Sequence, residues 1–196
     1  EPDKKLPYRT SPSLIISHDM VSPVTLAGGN SYSPPSSEET NMTALKRRKV
    51  GKTKLEVTEI GLGGAPMGGF RATIPDAEAV QLTNDGYDAG IRYFDTSPFY
   101  GYGRSELRMG AALREKPRDS YVLSTKIGRV MQAMKPGEKP PADFRDNGLP
   151  GFAPVFDYTY DGVMRSLEHS HMRLGLQKID IALIHDVDFW TTKNRA

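Results

Sequence analysis

Asp95, Tyr100, Lys126 and His185 are an acid, a phenol, an amine and an imidazole, and each falls where an apolar run gives out, in RYFDTSPFY, YVLSTK and IALIHD. A phenol with a pKa near 10 is a poor proton donor or acceptor at neutral pH unless a cation stabilises its anion. Lys126 can supply that cation and Asp95 can hold it in place. His185 can donate to the same carbonyl oxygen as Tyr100, orienting it and stabilising developing charge. Such a set suits carbonyl reduction, or alcohol oxidation in reverse. No side chain accepts a hydride, so the reaction needs a nicotinamide cofactor, NAD(P), from outside the chain.

Each residue alone has a plainer explanation. Asp95 could cap the turn that follows it, Lys126 and His185 could be surface residues at strand exits, and Tyr100 could be loop packing. The weight comes from coincidence: Asp95, Lys126 and His185 leave successive apolar strands at the same end, which is costly unless the charges pair.

The elements that position them follow from periodicity. RRKV, GKT and KLEV read as a hairpin, with apolar alternation on both sides of Gly51. EIGLGG is a short strand. A helix is predicted over 77–89, capped by Asp76 and stopped by Gly90. IRYFD is the next strand, followed by a helix over 105–115 expected to bury Leu107, Ala111 and Leu113. YVLSTK is a third strand. A long Pro/Gly-rich loop over 128–157 leads to a helix capped by Thr159, with Val163, Leu167 and Leu174 on one face and Gly175 closing it. IDIALIH is the fourth strand. Strict alternation of strand and helix with short connections indicates a parallel α/β sheet. An open doubly wound sheet would want GxGxxG at its first turn, but GLGGAP at Gly61 breaks that spacing and GYGRSE at Gly101 lacks the last glycine. A (β/α)8 barrel is therefore favoured, with its site at the carboxyl ends of the strands.

Composition sets the outer limits. The chain has 196 residues with 26 Lys+Arg against 24 Asp+Glu, so charge gives no case for nucleic acid or an acidic membrane as partner. A small, roughly neutral substrate fits better. Cysteine is absent, which removes disulfides and thiolate chemistry and is compatible with a cytoplasmic location. No apolar run approaches the roughly 18 residues of a membrane span. Asp186 and Asp188 beside His185 suggest a metal pair, but no further ligand has suitable spacing, so no metal is expected. Residues 1–41 are rich in Ser, Pro, Thr and Asn without periodicity and read as a disordered leader, either outside the native protein or a regulatory tail. The folded pattern starts after Met42 and runs over 42–196.

With GIRYFDTSPFYGYGRSE, VLSTKIG and IDIALIHD in this order, the chain resembles the aldo-keto reductases over roughly Leu45 to Trp190. The resemblance implies a (β/α)8 barrel, NAD(P)-dependent oxidoreduction of a small carbonyl or sugar, and a catalytic tetrad of Asp95, Tyr100, Lys126 and His185, with Tyr100 as proton donor or acceptor. It also implies Asp95 and Thr96 beside the cofactor. Phe99 and Trp190, next to catalytic positions, are candidates for an apolar substrate wall. PGEKPPADF and the segment PVFDYTYDGVMRSLEHSHMRLGL look like the sugar-dehydrogenase branch, near the D-threo-aldose 1-dehydrogenases and pyridoxal 4-dehydrogenases, which points to a sugar hemiacetal as the alcohol oxidised.

The family barrel has eight strand and helix units, whereas this chain offers four before Ala196. The expectation is thus the N-terminal half of a barrel, a fragment that holds cofactor poorly. The competing function is a catalytically silent binding or regulatory fragment on the same scaffold. Neither NAD against NADP nor the oligomeric state is written in these residues.

Overall fold

The computed structural model of the protein describes residues 44–69, 73–138 and 151–187, all inside the compact unit Asn41–Ala196. The expected leader and Trp190 lie outside the described residues.

The predicted hairpin forms from β1 (Arg47–Lys49) and β2 (Glu56–Thr58), antiparallel with Arg47 opposite Thr58. Gly51 takes the turn at φ 53°, a conformation that costs glycine little. Then β3 (Leu62–Gly63), β4 (Tyr93–Asp95), β5 (Val122–Ile127) and β8 (Ile181–Ile184) make one parallel sheet in the order β3-β4-β5-β8. Each strand is added beside its predecessor on the same side. A doubly wound sheet reverses its strand order at a switch point, and no reversal occurs here, so the winding is that of a (β/α)8 barrel.

Period-2 alternation sorts the strands' side chains. Phe94 and Leu123 are fully buried against the helices, in a core with Met67, Ala79, Met109, Leu113, Tyr121 and Leu174. Tyr93, Asp95 and Ser124 turn to the other face, where Ser124 Oγ meets both the Tyr93 hydroxyl and the Asp95 carboxylate. β3 and β8 form the two edges of this sheet, and Leu183 and Ile184 of β8 are exposed.

Helices α1 (Asp76–Asp88), α2 (Arg104–Leu113) and α3 (Tyr160–Leu174) cover the outer face, α1 on α2 and α2 on α3. The caps of α3 are as predicted: Thr159 Oγ1 accepts from the Gly162 N–H at 3.2 Å, and Gly175 ends the helix at φ 65°. At α1 the cap differs. Pro75 is the N-cap residue and Asp76 is the first helical position; the Asp76 carboxylate makes no capping bond and instead accepts from the buried Arg108 guanidinium, Nε to Oδ1 at 2.7 Å.

Helix α2 corrects a second expectation. Leu107 is 48% exposed, while Ser105, Glu106, Met109, Gly110 and Leu113 are buried. The inner stripe of α2 is partly polar, so apolar type alone misassigned its face. Gly110 explains how closely α2 meets α3: a Cβ there would lie 2.3 Å from the Leu174 carbonyl oxygen. Ala for Gly within a helix ordinarily gains about 1 kcal/mol. Gly110→Ala is expected to destabilise instead, read as a lower urea midpoint than wild type.

The segment read as a loop over 128–157 holds two strands. β6 (Arg129–Ala133) and β7 (Phe152–Phe156) pair antiparallel in a separate two-stranded sheet, Arg129 opposite Phe156. Pro154 hid β7 from the sequence reading, since proline cannot donate to a ladder. A strand with only one neighbour tolerates it, because the missing N–H can face outward. Among the described residues, no helix is long and apolar enough to cross a membrane.

Candidate active site

Asp95 ends β4, Lys126 is the penultimate residue of β5, and His185 follows β8 directly. The parallel sheet therefore brings all three to one end, at the carboxyl ends of the strands. Tyr100 reaches them from the turn after β4, which is fixed by backbone bonds from Tyr100 N–H to Ser97 O and from Ser105 N–H to Tyr100 O. Gly101, at φ 65°, lets this turn close: a Cβ there would sit 2.2 Å from the Gly68 carbonyl oxygen.

Lys126 is the hub. Its ammonium donates to Asp95 Oδ2 at 2.7 Å and to the Thr96 carbonyl at 3.0 Å, and lies 4.7 Å from the Tyr100 ring centroid. Burial alone would lower its pKa, but the Asp95 carboxylate and the nearby Tyr100 outweigh this and raise it. The ammonium is thus a fixed positive charge beside the phenol at neutral pH. Ser124 Oγ donates to Asp95 Oδ1 at 2.6 Å, so both carboxylate oxygens are held.

His185 is 5% exposed. Its ring stands edge to face against Tyr100 at 5.9 Å and against Phe99 at 5.8 Å between centroids. Nδ1 lies 3.0 Å from Ser97 Oγ and Nε2 lies 3.3 Å from Asp186 Oδ2. The Tyr158 hydroxyl donates to the His185 carbonyl at 2.6 Å, tying the strand exit to the segment before α3. Burial, then the Arg129 cation, push the imidazole pKa down to about 4, with Lys126 adding to this and the Asp186 and Asp95 carboxylates opposing it. His185 is therefore neutral at pH 7 and able to donate a hydrogen bond while keeping its proton.

This depressed pKa has a stability consequence of definite sign. Between about 4 and the ordinary 6.5 the unfolded chain binds a proton at His185 that the folded chain does not, so the contribution falls as pH drops through that window. Titration of His185 by NMR is expected to give a midpoint near 4, and Arg129→Met is expected to raise it by removing the cation that depresses it most. An Arg129→Met protein with an unmoved midpoint would contradict this assignment.

The other expected site residues divide. Phe99 packs beside His185, with the Arg129 guanidinium 4.2 Å from its ring centroid. Thr96 is fully buried, and its hydroxyl bonds Ser105 Oγ at 2.8 Å; what it presents to the site is its carbonyl, on Lys126. Trp190 and Asp188 are outside the described residues. Asp186 pairs with Arg129, Oδ2 to Nη2 at 2.7 Å, and among the described residues no group of three or more His, Asp or Glu gathers to hold a metal.

Sequence reasoning missed Ser97, Ser124, Arg129 and Tyr158. Ser124 was within reach: it precedes Lys126 by two in β5, so alternation places both on one face. Ser97, Arg129 and Tyr158 lie outside any period shared with the tetrad and become visible only in three dimensions.

A barrel-type α/β half with a lysine, carboxylate, phenol and imidazole at its strand ends defines a class, and comparison with known proteins gives it a family. Residues 59–194 match the Aldo/keto reductase family, and the chain belongs to that family. It is 46% identical over 163 residues to a pyridoxal 4-dehydrogenase of Microbacterium luteolum, covering 79% of this chain and 47% of that protein. It is 39% identical over 135 residues to a D-threo-aldose 1-dehydrogenase of a Pseudomonas species, covering 67% of this chain and 41% of the relative. Among solved structures, the glycerol dehydrogenase of Gluconobacter oxydans superposes with a TM-score of 0.54 at 25% identity, covering 70% of this chain and 38% of the other. The chain thus spans less than half the length of these proteins.

Proposed function

We propose that the chain carries the proton-transferring site of an NAD(P)-dependent oxidoreductase that interconverts a carbonyl and an alcohol, acting on a sugar hemiacetal or a small aldehyde. The observation that carries this reading is the single end of the sheet at which the Lys126 ammonium lies 2.7 Å from Asp95 and 4.7 Å from the Tyr100 ring centroid, with a neutral His185 against the same ring. A nicotinamide, when bound, supplies the hydride acceptor that no side chain provides. The donor set suits it: one phenol to exchange the proton, one cation to stabilise the phenolate, one neutral imidazole to orient the oxygen.

In the oxidising direction Tyr100 takes the substrate hydroxyl proton, and Lys126 stabilises the phenolate that receives it. In the reducing direction the phenol returns that proton to the carbonyl oxygen. His185 donates to the same oxygen in both. Asp95 is assigned a place beside the cofactor. Phe99 is assigned to the apolar substrate wall. The similarity to aldose and pyridoxal dehydrogenases supports a small polyol or aldehyde substrate.

A second reading is a catalytically silent binding or regulatory protein on the same scaffold, since fold alone does not fix activity. Fluorescence titration of the protein with NADH and NADPH separates the two. Saturable quenching or enhancement with either supports the oxidoreductase; no change with both leaves the silent reading.

A further inference from the structure

The hydrogen-bond partners of His185 carry one step beyond the tetrad. We infer that Ser97 is a positioning residue that fixes the His185 imidazole as its Nε2–H tautomer and so aims the proton outward at the substrate oxygen.

The argument starts at the serine. Ser97 is fully buried, so its hydroxyl proton has no water to turn to. Among the described residues its Oγ has two partners, the Phe99 N–H and His185 Nδ1, each at 3.0 Å. An amide N–H can only donate, so it occupies an acceptor position on Oγ. The hydroxyl proton must then go to Nδ1, or a buried donor is left unsatisfied. A ring nitrogen that accepts carries no proton, which puts the imidazole proton on Nε2.

The charge on the opposite side of the ring agrees with this. Nε2 faces Asp186 Oδ2 at 3.3 Å, and that carboxylate is itself held by Arg129 at 2.7 Å. The contact is electrostatic, not a hydrogen bond, and a carboxylate this close favours a proton over a lone pair on Nε2. Neutrality follows from the burial of the ring and the cations Arg129 and Lys126 around it. Asp186 is half exposed, and 3.3 Å is long for a bond to an anion. No hydrogen bond among the described residues holds the Nε2 proton, so a substrate oxygen can accept it. With the other tautomer, Nε2 would present a lone pair to the oxygen that His185 has to polarise. Tyr100 packs on the ring from the turn between β4 and α2, and Asp95 and Lys126 act on it through their charge; none of the three bonds Nδ1 among the described residues.

The role assigned to the Nε2 proton rests on the oxidoreductase reading, whereas the tautomer itself can be measured without it. The test is a multiple-bond proton–nitrogen correlation spectrum of the chain labelled with 15N-histidine at pH 7. The chain has 4 histidines, and His185 is assigned by its loss in His185→Gln. The wild type is expected to give a pyrrole-type Nε2 and a pyridine-type Nδ1. Ser97→Ala is expected to move the tautomer ratio about tenfold toward Nδ1–H, the effect of losing one hydrogen bond, and Ser97→Thr, which keeps the hydroxyl, is expected to restore it. A wild-type Nδ1–H pattern overturns the proposal without any variant, even if Ser97→Ala does not fold. An unchanged ratio in a folded Ser97→Ala protein overturns it as well. A wild-type Nδ1–H pattern would also remove the donor role of His185, but the oxidoreductase reading itself fails separately, if no nicotinamide binds.

Discussion

Tyr100→Phe is expected to lower nicotinamide-dependent turnover by about 10²- to 10⁴-fold, the ordinary contribution of a positioned acid or base. The substitution isolates the proton. A phenylalanine ring keeps the edge-to-face packing on His185 at 5.9 Å and the approach of the Lys126 ammonium at 4.7 Å from the ring centroid. Only the hydroxyl is lost, so the fold and the Lys126 to Asp95 ion pair should persist. The measurement is kcat at saturating cofactor and substrate, with the urea midpoint as control. A large loss of kcat at an unchanged midpoint supports the acid-base role; undiminished turnover refutes it.

The second large effect is on stability and lies behind the site. Glu106 of α2 is fully buried and accepts from Thr125 Oγ1 at 2.7 Å and Arg173 Nε at 2.6 Å. One side chain thus joins α2, α3 and β5. Glu106→Ala leaves the Arg173 guanidinium, 16% exposed, without its counter-charge and the buried Thr125 hydroxyl without its acceptor. Breaking a buried pair from one side costs about 3 to 5 kcal/mol. That is a large part of the 5 to 15 kcal/mol that holds a typical domain together. Glu106→Gln keeps the volume and an acceptor, and should lose less. Thr125 directly precedes Lys126, so the alanine variant should also disturb the ammonium. Urea unfolding of both variants checks this, and a loss under about 1 kcal/mol for Glu106→Ala would contradict the stated role of the pair.

These cases indicate how far the sequence could be read. β4, β5 and β8 were legible because buried parallel strands are apolar runs, and a polar residue ending each one stands out. The caps of α3 were legible because Thr159 and Gly175 have local reasons to be there. Leu107 was misread because helical spacing assigns a face only by apolar type, while α2 buries Ser105, Glu106 and Arg108 through partners on other elements. Asp76 was misread for a similar reason: Arg108 claims its carboxylate across α1 and α2. β6 and β7 were missed because Pro154 and a polar surround erase alternation. Within the site, the residues that form the tetrad carried a signal in their chemistry. Ser97 and Arg129, which tune His185, are ordinary residue types whose meaning depends on distance.

If the Lys126 ammonium, held by Asp95, serves the phenol of Tyr100 in proton exchange with a substrate oxygen, removing that cation must cost turnover. The most direct measurement is turnover of a panel of aldoses and small aldehydes with NAD(P)+ or NAD(P)H, followed through the absorbance of the reduced nicotinamide, for wild type and for Lys126→Met. The wild type is expected to turn over at least one substrate class, and removal of the cation to lower kcat by about 10²-fold or more. Turnover that persists undiminished in Lys126→Met would contradict it.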